Sequence, residues 1–343
     1  MKALVLEEYR KLVYKDVPDP EILPCEVLVK VKACGICGSD VHGYDGSTGR
    51  RIPPVIMGHE ASGVIVSTGQ EVRNWKAGDR VTFDSTVYPL NDWFTLEGHY
   101  NLSDNREVFG VSPGTYRRNG AFAEYIAVPQ HILYPVPGSV TFEQAAMVEA
   151  AAVAQHSINI SGIKTGNSCV IVGAGTIGTF ILKLLVIAGA GRIAVIDSNP
   201  ASRSRASDLG ADLVLSADDT GLAKKIMDLT SSRGADISFE AVGNNEAFNT
   251  AINNVRKGGT VVLIGNTSSI VEFPLQKAVT GELRILGSCA IRGEYEIILE
   301  LLEKGRLCVD DQIRAVAPLS EGPDWFEKLY AGRGIPGKII LVP

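Results

Sequence analysis

The spacing of hydrophobic and polar positions along the chain changes near residue 150. Before that point, short runs rich in β-branched residues alternate with glycine and proline, and they predict strands at 27–31, 63–66, 80–83 and 123–128. This sequence pattern is typical of a compact, mostly antiparallel β domain. Residues 84–119 lack such runs and form a long predicted loop, and loops of this length are more often functional than accidental.

From about residue 153, apolar strands alternate regularly with helical segments such as 176–188 and 244–255. The apolar runs are short and unbroken, as expected when helices cover both faces of a parallel sheet. Six strands in this rhythm predict a doubly wound α/β sheet. We expect these strands at 169–172, 192–196, 212–215, 236–240, 260–264 and 283–287.

The C-terminal segment contains elements beyond the six strands of the predicted sheet. It contains a predicted helix at 294–304 and a last strand at 338–342. We therefore expect the chain to return to its first domain. The predicted organisation is one domain from 1–152 and 289–343, with the sheet domain at 153–288 between its two parts.

Composition narrows the functional classes. The 343 residues carry a net charge of −6 with no long run of lysine and arginine, so we expect no nucleic-acid partner. The most apolar window, 180–188, is short and contains Lys183, so we expect no membrane span, and no export signal is evident. The six cysteines then indicate free thiols or ligands rather than disulfides, and a cytoplasmic location follows.

A glycine-rich turn follows the first strand of the sheet domain. Gly173 allows a tight turn, Gly175 lets the backbone approach a pyrophosphate, and Gly178 lets helix and strand pack closely. Thr176 and Ile177 open the helix whose N terminus would receive the phosphates. The pattern predicts a dinucleotide site, although a glycine-rich turn of another α/β protein is the alternative.

Asp197 ends the second predicted strand, 19 residues after Gly178. Its carboxylate is suited to accept hydrogen bonds from a ribose hydroxyl and would repel a 2′-phosphate, which favours NAD over NADP. Since residues 198–200 also look like a helix start, Asp197 as a helix cap remains an alternative.

Candidate metal ligands lie in the first domain. Cys37 is followed 22 residues later by His59 and Glu60, and thiolate, imidazole and carboxylate are ligand types of Zn²⁺. Three protein ligands with a position left for water or substrate are typical of a catalytic site. Glu149, near the domain junction, is either a fourth ligand or the group that holds a metal-bound water. Taken alone, a cysteine and a distant histidine are usually core residues.

Two residues close to Cys37 are candidate proton carriers. Ser39 would take the substrate proton, and His42 would pass it to solvent, since the ordinary pKa of histidine is about 6.5. Asp40 is a natural partner for a ligand histidine. Because zinc polarises an alcohol oxygen and a nicotinamide exchanges hydride, the two sites together predict a hydride-transferring enzyme.

Six short motifs of this sequence point to a known family. They lie at 35–42, 58–60, 77–81, 120–125, 172–178 and 336–338. With these motifs the chain resembles the zinc-dependent medium-chain dehydrogenases over its whole length. Within that family it is most similar to the sorbitol, polyol and threonine dehydrogenase branch, because Glu149 stands where alcohol dehydrogenases place a cysteine and because of residues 287–295.

The resemblance implies a GroES-like catalytic domain, a Rossmann NAD-binding domain, catalysis in a cleft, and dimers or tetramers. It also implies that Cys37, His59 and Glu60 bind the catalytic zinc and that Ser39 and His42 relay a proton. The positions that match the family's nicotinamide side are Phe239, Val242, Ile264, Gly265 and Ser288.

The sequence departs from the family pattern in two places. Many relatives carry four cysteines in the long loop for a structural zinc, and an arginine five residues after the ribose acid. That arginine position is Ser202 here, with arginines at 203 and 205, which leaves the adenosine contacts open. We predict one catalytic zinc per chain and no structural zinc, because the four cysteine positions are Pro89, Asp92, Thr95 and Ser103.

The sequence thus predicts an NAD-dependent enzyme that converts a secondary alcohol of a polyol or sugar alcohol, phosphorylated or not, into the ketose. Tyr44, Arg118 and Arg292 are candidate substrate contacts or else surface side chains. L-Threonine 3-dehydrogenase is the near alternative. A zinc-free NADPH-dependent quinone or enone reductase and a non-enzymatic nucleotide-binding protein are further ones. We expect a homodimer or homotetramer.

Overall fold

The computed structural model describes residues 1–111, 118–332 and 337–343. Part of the long predicted loop and Pro336 of the 336–338 motif therefore lie outside the described residues. The chain divides into two compact units. The first unit is Met1–Glu149 together with Ile291–Pro343, and the second is Ala150–Ala290.

Strands dominate the first unit and form the centre of the second. In chain order they are Lys2–Glu8 (β1), Lys11–Asp16 (β2), Glu26–Gly35 (β3), Val55–Ile56 (β4), Glu60–Thr68 (β5), Arg80–Phe83 (β6), Thr86–Val87 (β7), Glu107–Val108 (β8), Tyr125–Pro129 (β9), Leu133–Pro135 (β10), Ser168–Val172 (β11), Arg192–Asp197 (β12), Leu213–Ser216 (β13), Ala235–Glu240 (β14), Val255–Leu263 (β15), Arg284–Gly287 (β16), Ile313–Pro318 (β17) and Lys338–Val342 (β18).

The helices are mostly short in the first unit and alternate with strands in the second. They are Gly38–Gly43 (α1), Trp93–Leu96 (α2), Phe142–Ala146 (α3), Val148–Ser161 (α4), Thr176–Ile187 (α5), Pro200–Asp208 (α6), Leu222–Leu229 (α7), Asn245–Asn253 (α8), Leu275–Thr280 (α9), Tyr295–Glu303 (α10) and Gly322–Tyr330 (α11). None of the helices in the described part of the chain combines the length and apolar character needed to cross a membrane.

The largest sheet of the first unit runs β10-β6-β5-β3-β18-β17, with β9 also paired to β3. Its pairs are antiparallel except for β17 with β18, which confirms the predicted β-rich domain. β3 is central because alternate residues Val27, Val29 and Val31 are buried in the core. At its end, Gly35 pairs with Glu60 of β5 and Ile340 of β18. This register brings three distant segments to one place.

The second unit is a six-stranded parallel sheet in the order β13-β12-β11-β14-β15-β16. Numbered along the unit, this is 3-2-1-4-5-6, the order of a Rossmann fold. The predicted Rossmann fold is therefore confirmed. Ligands bind such sheets at the carboxyl ends of the strands where the order reverses, here between β11 and β14.

Some elements differ from the sequence-based expectation. The predicted helix 244–255 ends at Asn253, and β15 already begins at Val255, five residues before the expected strand. The register between β15 and β14 shifts after their first residue pair. The glycines at 258 and 259 therefore lie inside β15, and the start of this strand has no clear apolar pattern. The predicted strand 123–128 begins at Tyr125.

Candidate functional site

The ends of β3 and β5 bring the predicted metal ligands together. Cys37 is the N-cap residue of α1, directly after β3, and His59 and Glu60 stand where β5 begins. One ligand atom of each residue lies within 4.8 Å of the other two. Within the described residues this is the one such group of histidine, cysteine and acidic side chains. One thiol, one imidazole and one carboxylate fit Zn²⁺.

His59 lies beside a buried carboxylate. Its Nδ1 lies 3.6 Å from Oδ1 of Asp40, which is longer than a hydrogen bond, and this buried nitrogen has no hydrogen-bond partner in the described structure. Asp40 is fully buried, and its Oδ2 accepts a hydrogen bond from the backbone N–H of Cys37 at 3.4 Å. Asp40 therefore touches both ligand segments.

The thiol of Cys37 is protonated unless a cation binds. Burial and the neighbouring Glu60 raise its pKa to about 12, so metal binding must release its proton. The hydroxyl of Ser39 donates a hydrogen bond to Cys37 Sγ at 3.2 Å. His42 lies one helical turn further along α1, with its side chain exposed. The roles of Ser39 and His42 as proton carriers stay predictions.

Lys338 forms a buried ion pair with Glu60. Its Nζ donates to Oε1 at 2.7 Å and lies 2.7 Å from Oε2, and both side chains are buried. Burial alone would lower the pKa of Lys338, but the charges of Glu60 and Cys37 raise it above its usual value. Gly35 lies beside this pair, and a Cβ there would lie 2.4 Å from Oε2 of Glu60, so a larger residue would displace the buried carboxylate.

Glu149 lies at the start of α4 and is buried. Its Oε1 accepts a hydrogen bond from Ser85 at 2.9 Å. Burial raises its pKa to about 7, with the Glu60 charge adding to the rise and His59 opposing it. Glu149 is not part of the three-residue ligand group, and its role as a fourth ligand or water holder stays a prediction.

The charges around the ligand group support a divalent cation. When Cys37, Asp40, Glu60 and Glu149 are all deprotonated, they carry four negative charges, whereas the paired cations Lys338 and Arg51 supply two positive ones. Buried charge without compensation is costly. The excess of two negative charges equals the charge of one Zn²⁺, so the donor set fits this metal in charge as well as in ligand type.

Two of the predicted substrate contacts, Tyr44 and Arg118, form hydrogen bonds or ion pairs with other residues of the chain. Tyr44 is 2% exposed, and its hydroxyl is hydrogen-bonded to Glu327 and to the carbonyl of Arg10, both at 2.8 Å. Arg118 is paired with Glu26 at 2.7 Å and with Glu107 at 3.0 Å. These bonds hold both side chains in the described structure, and their role as substrate contacts stays a prediction.

Arg292 remains a candidate substrate contact. It is partly exposed, and its Nη1 lies 2.5 Å from Nδ1 of His99, a residue to which the sequence gave no role. A hydroxyl-rich ligand would find both donor and acceptor atoms at this pair.

The glycine-rich turn has the geometry that a dinucleotide site requires. Gly173 has a φ of +96°, and a Cβ on Gly178 would lie 1.8 Å from the carbonyl oxygen of Gly173, so both positions need glycine. Gly175 faces open space. Thr176 and Ile177 open α5 directly after it, as predicted. The turn can therefore receive a phosphate group without a steric barrier.

Asp197, at the end of the next strand, accepts a hydrogen bond from the glycine-rich turn. Its Oδ2 accepts a hydrogen bond from Ala174 N at 2.6 Å, and Oδ1 accepts one from Asn199 N at 2.7 Å. The cap of α6 is Asn199, whose side chain accepts from Ala201 N. The structure therefore does not support the alternative that Asp197 is the helix cap. Its position beside the glycine turn is the one a ribose-binding acid takes.

The predicted nicotinamide-side positions follow consecutive strands of the second unit. Val242 comes after β14, Ile264 and Gly265 come after β15, and Ser288 comes after β16. A Cβ on Gly265 would lie 2.1 Å from Gly243 N, and the Ser288 hydroxyl is buried without a hydrogen-bond partner. Phe239 is a buried residue of β14. An orphaned hydroxyl at this edge of the sheet is what a bound ligand would satisfy.

Hydrogen bonds connect three of the four positions where many relatives carry structural cysteines. The Asp92 carboxylate accepts from Thr95 N at 2.7 Å and from the hydroxyl of Ser103. These bonds cap α2 and tie its start to the chain ten residues further on. The absence of a structural zinc stays a prediction.

Sequence reasoning missed several residues of the site. Arg51, Ser85 and the ion-pair role of Lys338 carried no motif that specified their function. Lys338 was part of a motif used only for the family resemblance, and Arg51 looked like any charged loop residue. Only the three-dimensional register reveals them.

Comparison with known proteins agrees with the site. Residues 24–138 match the model for the alcohol dehydrogenase GroES-like domain, and residues 176–304 match that for the zinc-binding dehydrogenase. D-Xylulose reductase A of Aspergillus niger is 31% identical over 97% of this chain and 94% of its own. Sorbitol dehydrogenase of Bacillus subtilis is 30% identical over 100% of this chain and 97% of its own.

Among solved structures, a zinc-binding dehydrogenase from Sinorhizobium meliloti bound to NADP has a TM-score of 0.91 and 29% identity, covering 100% of this chain and 99% of that one. The similarity of sequence and structure therefore extends along the whole chain and includes both units. Together with the Cys37, His59 and Glu60 group, these matches establish that the chain belongs to the zinc-binding medium-chain dehydrogenase family.

Proposed function

We propose that this dehydrogenase uses NAD to oxidise a secondary hydroxyl of a polyol or sugar alcohol to a ketone. The observation that carries the proposal is the ligand group of Cys37, His59 and Glu60 with a carboxylate, Glu149, beside it. Two relatives of about 30% identity are named as a sorbitol dehydrogenase and a xylulose reductase, which supports a polyol substrate.

Cys37, His59 and Glu60 would hold the zinc, with Glu149 as a fourth ligand or as the holder of a water. When bound, Zn²⁺ would polarise the reacting oxygen, and NAD⁺ would take the hydride with both electrons of the C–H bond. Ser39 takes the proton of the substrate hydroxyl and gives its own proton onward through His42 to solvent. The products are a ketone, NADH and one proton.

The second unit would bind NAD through three features. The open backbone at Gly175 and the N terminus of α5 receive the pyrophosphate, and Asp197 accepts from the adenosine ribose. Two arginines lie close to this acid: Arg203 donates to the carbonyls of Asp197 and Ser198, and Arg205 donates to that of Ala174. Because a relative binds NADP, kcat/KM for NAD and NADP must be compared directly. A preference for NADP would overturn the role given to Asp197.

The test of function compares wild type with Cys37→Ser, with Cys308→Ser as a matched control at an exposed cysteine. Wild type and the control should carry one zinc per chain and reduce NAD with at least one member of a polyol and polyol-phosphate panel. Cys37→Ser should lose both the metal and turnover. Turnover with threonine alone would move the assignment to threonine dehydrogenase, and full activity of metal-free Cys37→Ser would refute the mechanism.

We also propose that the protein is a homo-oligomer. β16 is an edge strand of the sheet in the second unit, and an unpaired edge is suited to pair with another chain. Nearby in sequence, exposed apolar side chains include Ile270, Leu275 and Val279. Sedimentation equilibrium should give a dimer or tetramer, whereas a monomer at micromolar concentration would refute this proposal.

A further inference from the structure

Arg51 is a fully buried cation beside the proposed metal site. It lies in the segment between α1 and β4, and its side chain is only 2% exposed. Gly43 makes room for it, because a Cβ at that position would lie 2.7 Å from Cδ of Arg51. Burying a guanidinium is costly unless it is paired, so its contacts indicate what it does.

One nitrogen of Arg51 contacts two residues of α1. Nη2 donates to Oδ1 of Asp40 at 2.7 Å and to Oγ of Ser39 at 3.0 Å. The Asp40 carboxylate in turn touches His59 and the backbone of Cys37. Arg51 is therefore linked to both ligand segments and to the proposed proton acceptor.

These contacts set the direction of the Ser39 hydroxyl. A guanidinium can only donate hydrogen bonds, so the Ser39 oxygen must accept from Arg51 with one of its two lone pairs. Its own proton is directed to Cys37 Sγ, at 3.2 Å. One lone pair remains, and a substrate hydroxyl can donate to it.

We propose that Arg51 is a positioning residue that orients Ser39 to receive the substrate proton; this rests on the function proposed above. In that step the Ser39 O–H turns from Cys37 Sγ towards His42, the O–H bond of the alcohol breaks and its proton passes to Ser39 Oγ, and the original Ser39 proton leaves through His42 to solvent. When bound, NAD⁺ would accept the hydride. The fixed positive charge beside Oγ favours release of the original Ser39 proton, because it faces the oxygen on which negative charge develops as that proton leaves.

The test is a double-mutant cycle with Arg51→Met and Ser39→Ala, and with Arg50→Met as a matched control at the adjacent, exposed arginine. Arg51→Met should retain one zinc per chain and lower kcat by about 100-fold, the lower range for loss of a positioned proton transfer, with little change in KM. In the Ser39→Ala background the same substitution should have almost no further effect on kcat. Arg51→Lys should restore part of the activity, and Arg50→Met should match wild type.

A second readout does not depend on turnover. In the Co²⁺-substituted protein, Arg51→Met and Ser39→Ala should both shift the Cys37 thiolate–Co²⁺ absorption band, whereas Arg50→Met should not. Additive effects on kcat, or an unshifted band in Arg51→Met, would overturn the inference while leaving the proposed function intact. If Arg51→Met does not fold, Arg51→Lys replaces it in the same cycle, and its smaller effect on kcat should likewise disappear in the Ser39→Ala background. A wild type that oxidises no alcohol would refute the function, and the band shift would then decide the positioning of Ser39 alone.

Discussion

We expect the buried carboxyl group of Asp84 to make the stability of the first unit depend on pH. Asp84 is 1% exposed, and its Oδ1 and Oδ2 accept hydrogen bonds from Thr86 N at 2.8 Å and from the Tyr100 hydroxyl at 3.2 Å. Burial outweighs these bonds and, with the nearby Glu294 charge, raises its pKa from 3.8 to about 7. Its neighbour Ser85 holds Glu149, so Asp84 lies close to the proposed site without belonging to it.

The sign follows from proton linkage. Between pH 4 and 7 the folded chain holds a proton on Asp84 that the unfolded chain has lost, so the free energy of unfolding falls as pH rises. At about 1.4 kcal/mol per pH unit, the total loss is about 4 kcal/mol above pH 7. Roughly 2–3 kcal/mol of it falls between pH 5 and 8.

Asp84→Asn should remove this penalty. The amide oxygen still accepts from Thr86, so the pH-independent cost is that of one altered hydrogen bond, about 1 kcal/mol. Urea unfolding of the zinc-loaded protein at pH 5, 6, 7 and 8 should show the variant gaining roughly 2–3 kcal/mol on wild type across the series. Asp104→Asn, at an exposed aspartate of the same loop, should show no such trend. A pH-independent difference for Asp84→Asn would refute the reasoning.

Two further predictions concern the metal and nucleotide sites. Lys338→Met leaves Glu60 buried without its partner, so the free energy of unfolding of the metal-free protein should fall by about 3–5 kcal/mol. Zinc should restore much of this stability because it supplies positive charge. An equal loss with and without zinc, measured by urea unfolding, would contradict this. Gly175→Val places a side chain in the open space beside Gly175, so the free energy of unfolding should change by less than about 1 kcal/mol. The same side chain would occupy the space proposed for the pyrophosphate, so NADH affinity, measured by fluorescence titration, should fall at least tenfold. The control Gly138→Val, at another open glycine, should leave NADH affinity unchanged.

The fold was predictable where local pattern and tertiary structure agree. The strands of the second unit are continuous apolar runs because helices cover the sheet, and β11 at Ser168–Val172 lies within one residue of its expected range. Gly173 and Gly178 have a fixed spacing because each meets a separate steric requirement of one turn, whereas Gly175 faces open space. Requirements of this kind are local, so they remain visible in the sequence.

The compensating charges of the metal site could not be predicted in the same way. Cys37 and His59 are ligand types with recognisable neighbours, but Arg51 and Lys338 are ordinary charged residues until a fold buries them. Tyr44 is a related case, because the sequence left it open as a substrate contact or a surface side chain, whereas the structure bonds its hydroxyl inside the core. Burial is a property of the whole fold, and spacing along the chain does not report it.

The pairing of β3 explains why both chain ends are needed for one site. Gly35 pairs with Glu60 on one side and with Ile340 on the other, so the same ladder places Cys37 after β3, a carboxylate ligand on β5 and Lys338 at the start of β18. If β18 did not pair with β3, Glu60 would lose the cation that holds its carboxylate, and the negative charge of the ligand group would rise before any metal arrived. The return of the C terminus to the first unit is therefore part of how the metal site is built, since it supplies one of the two fixed positive charges that leave a net charge matched by one divalent ion.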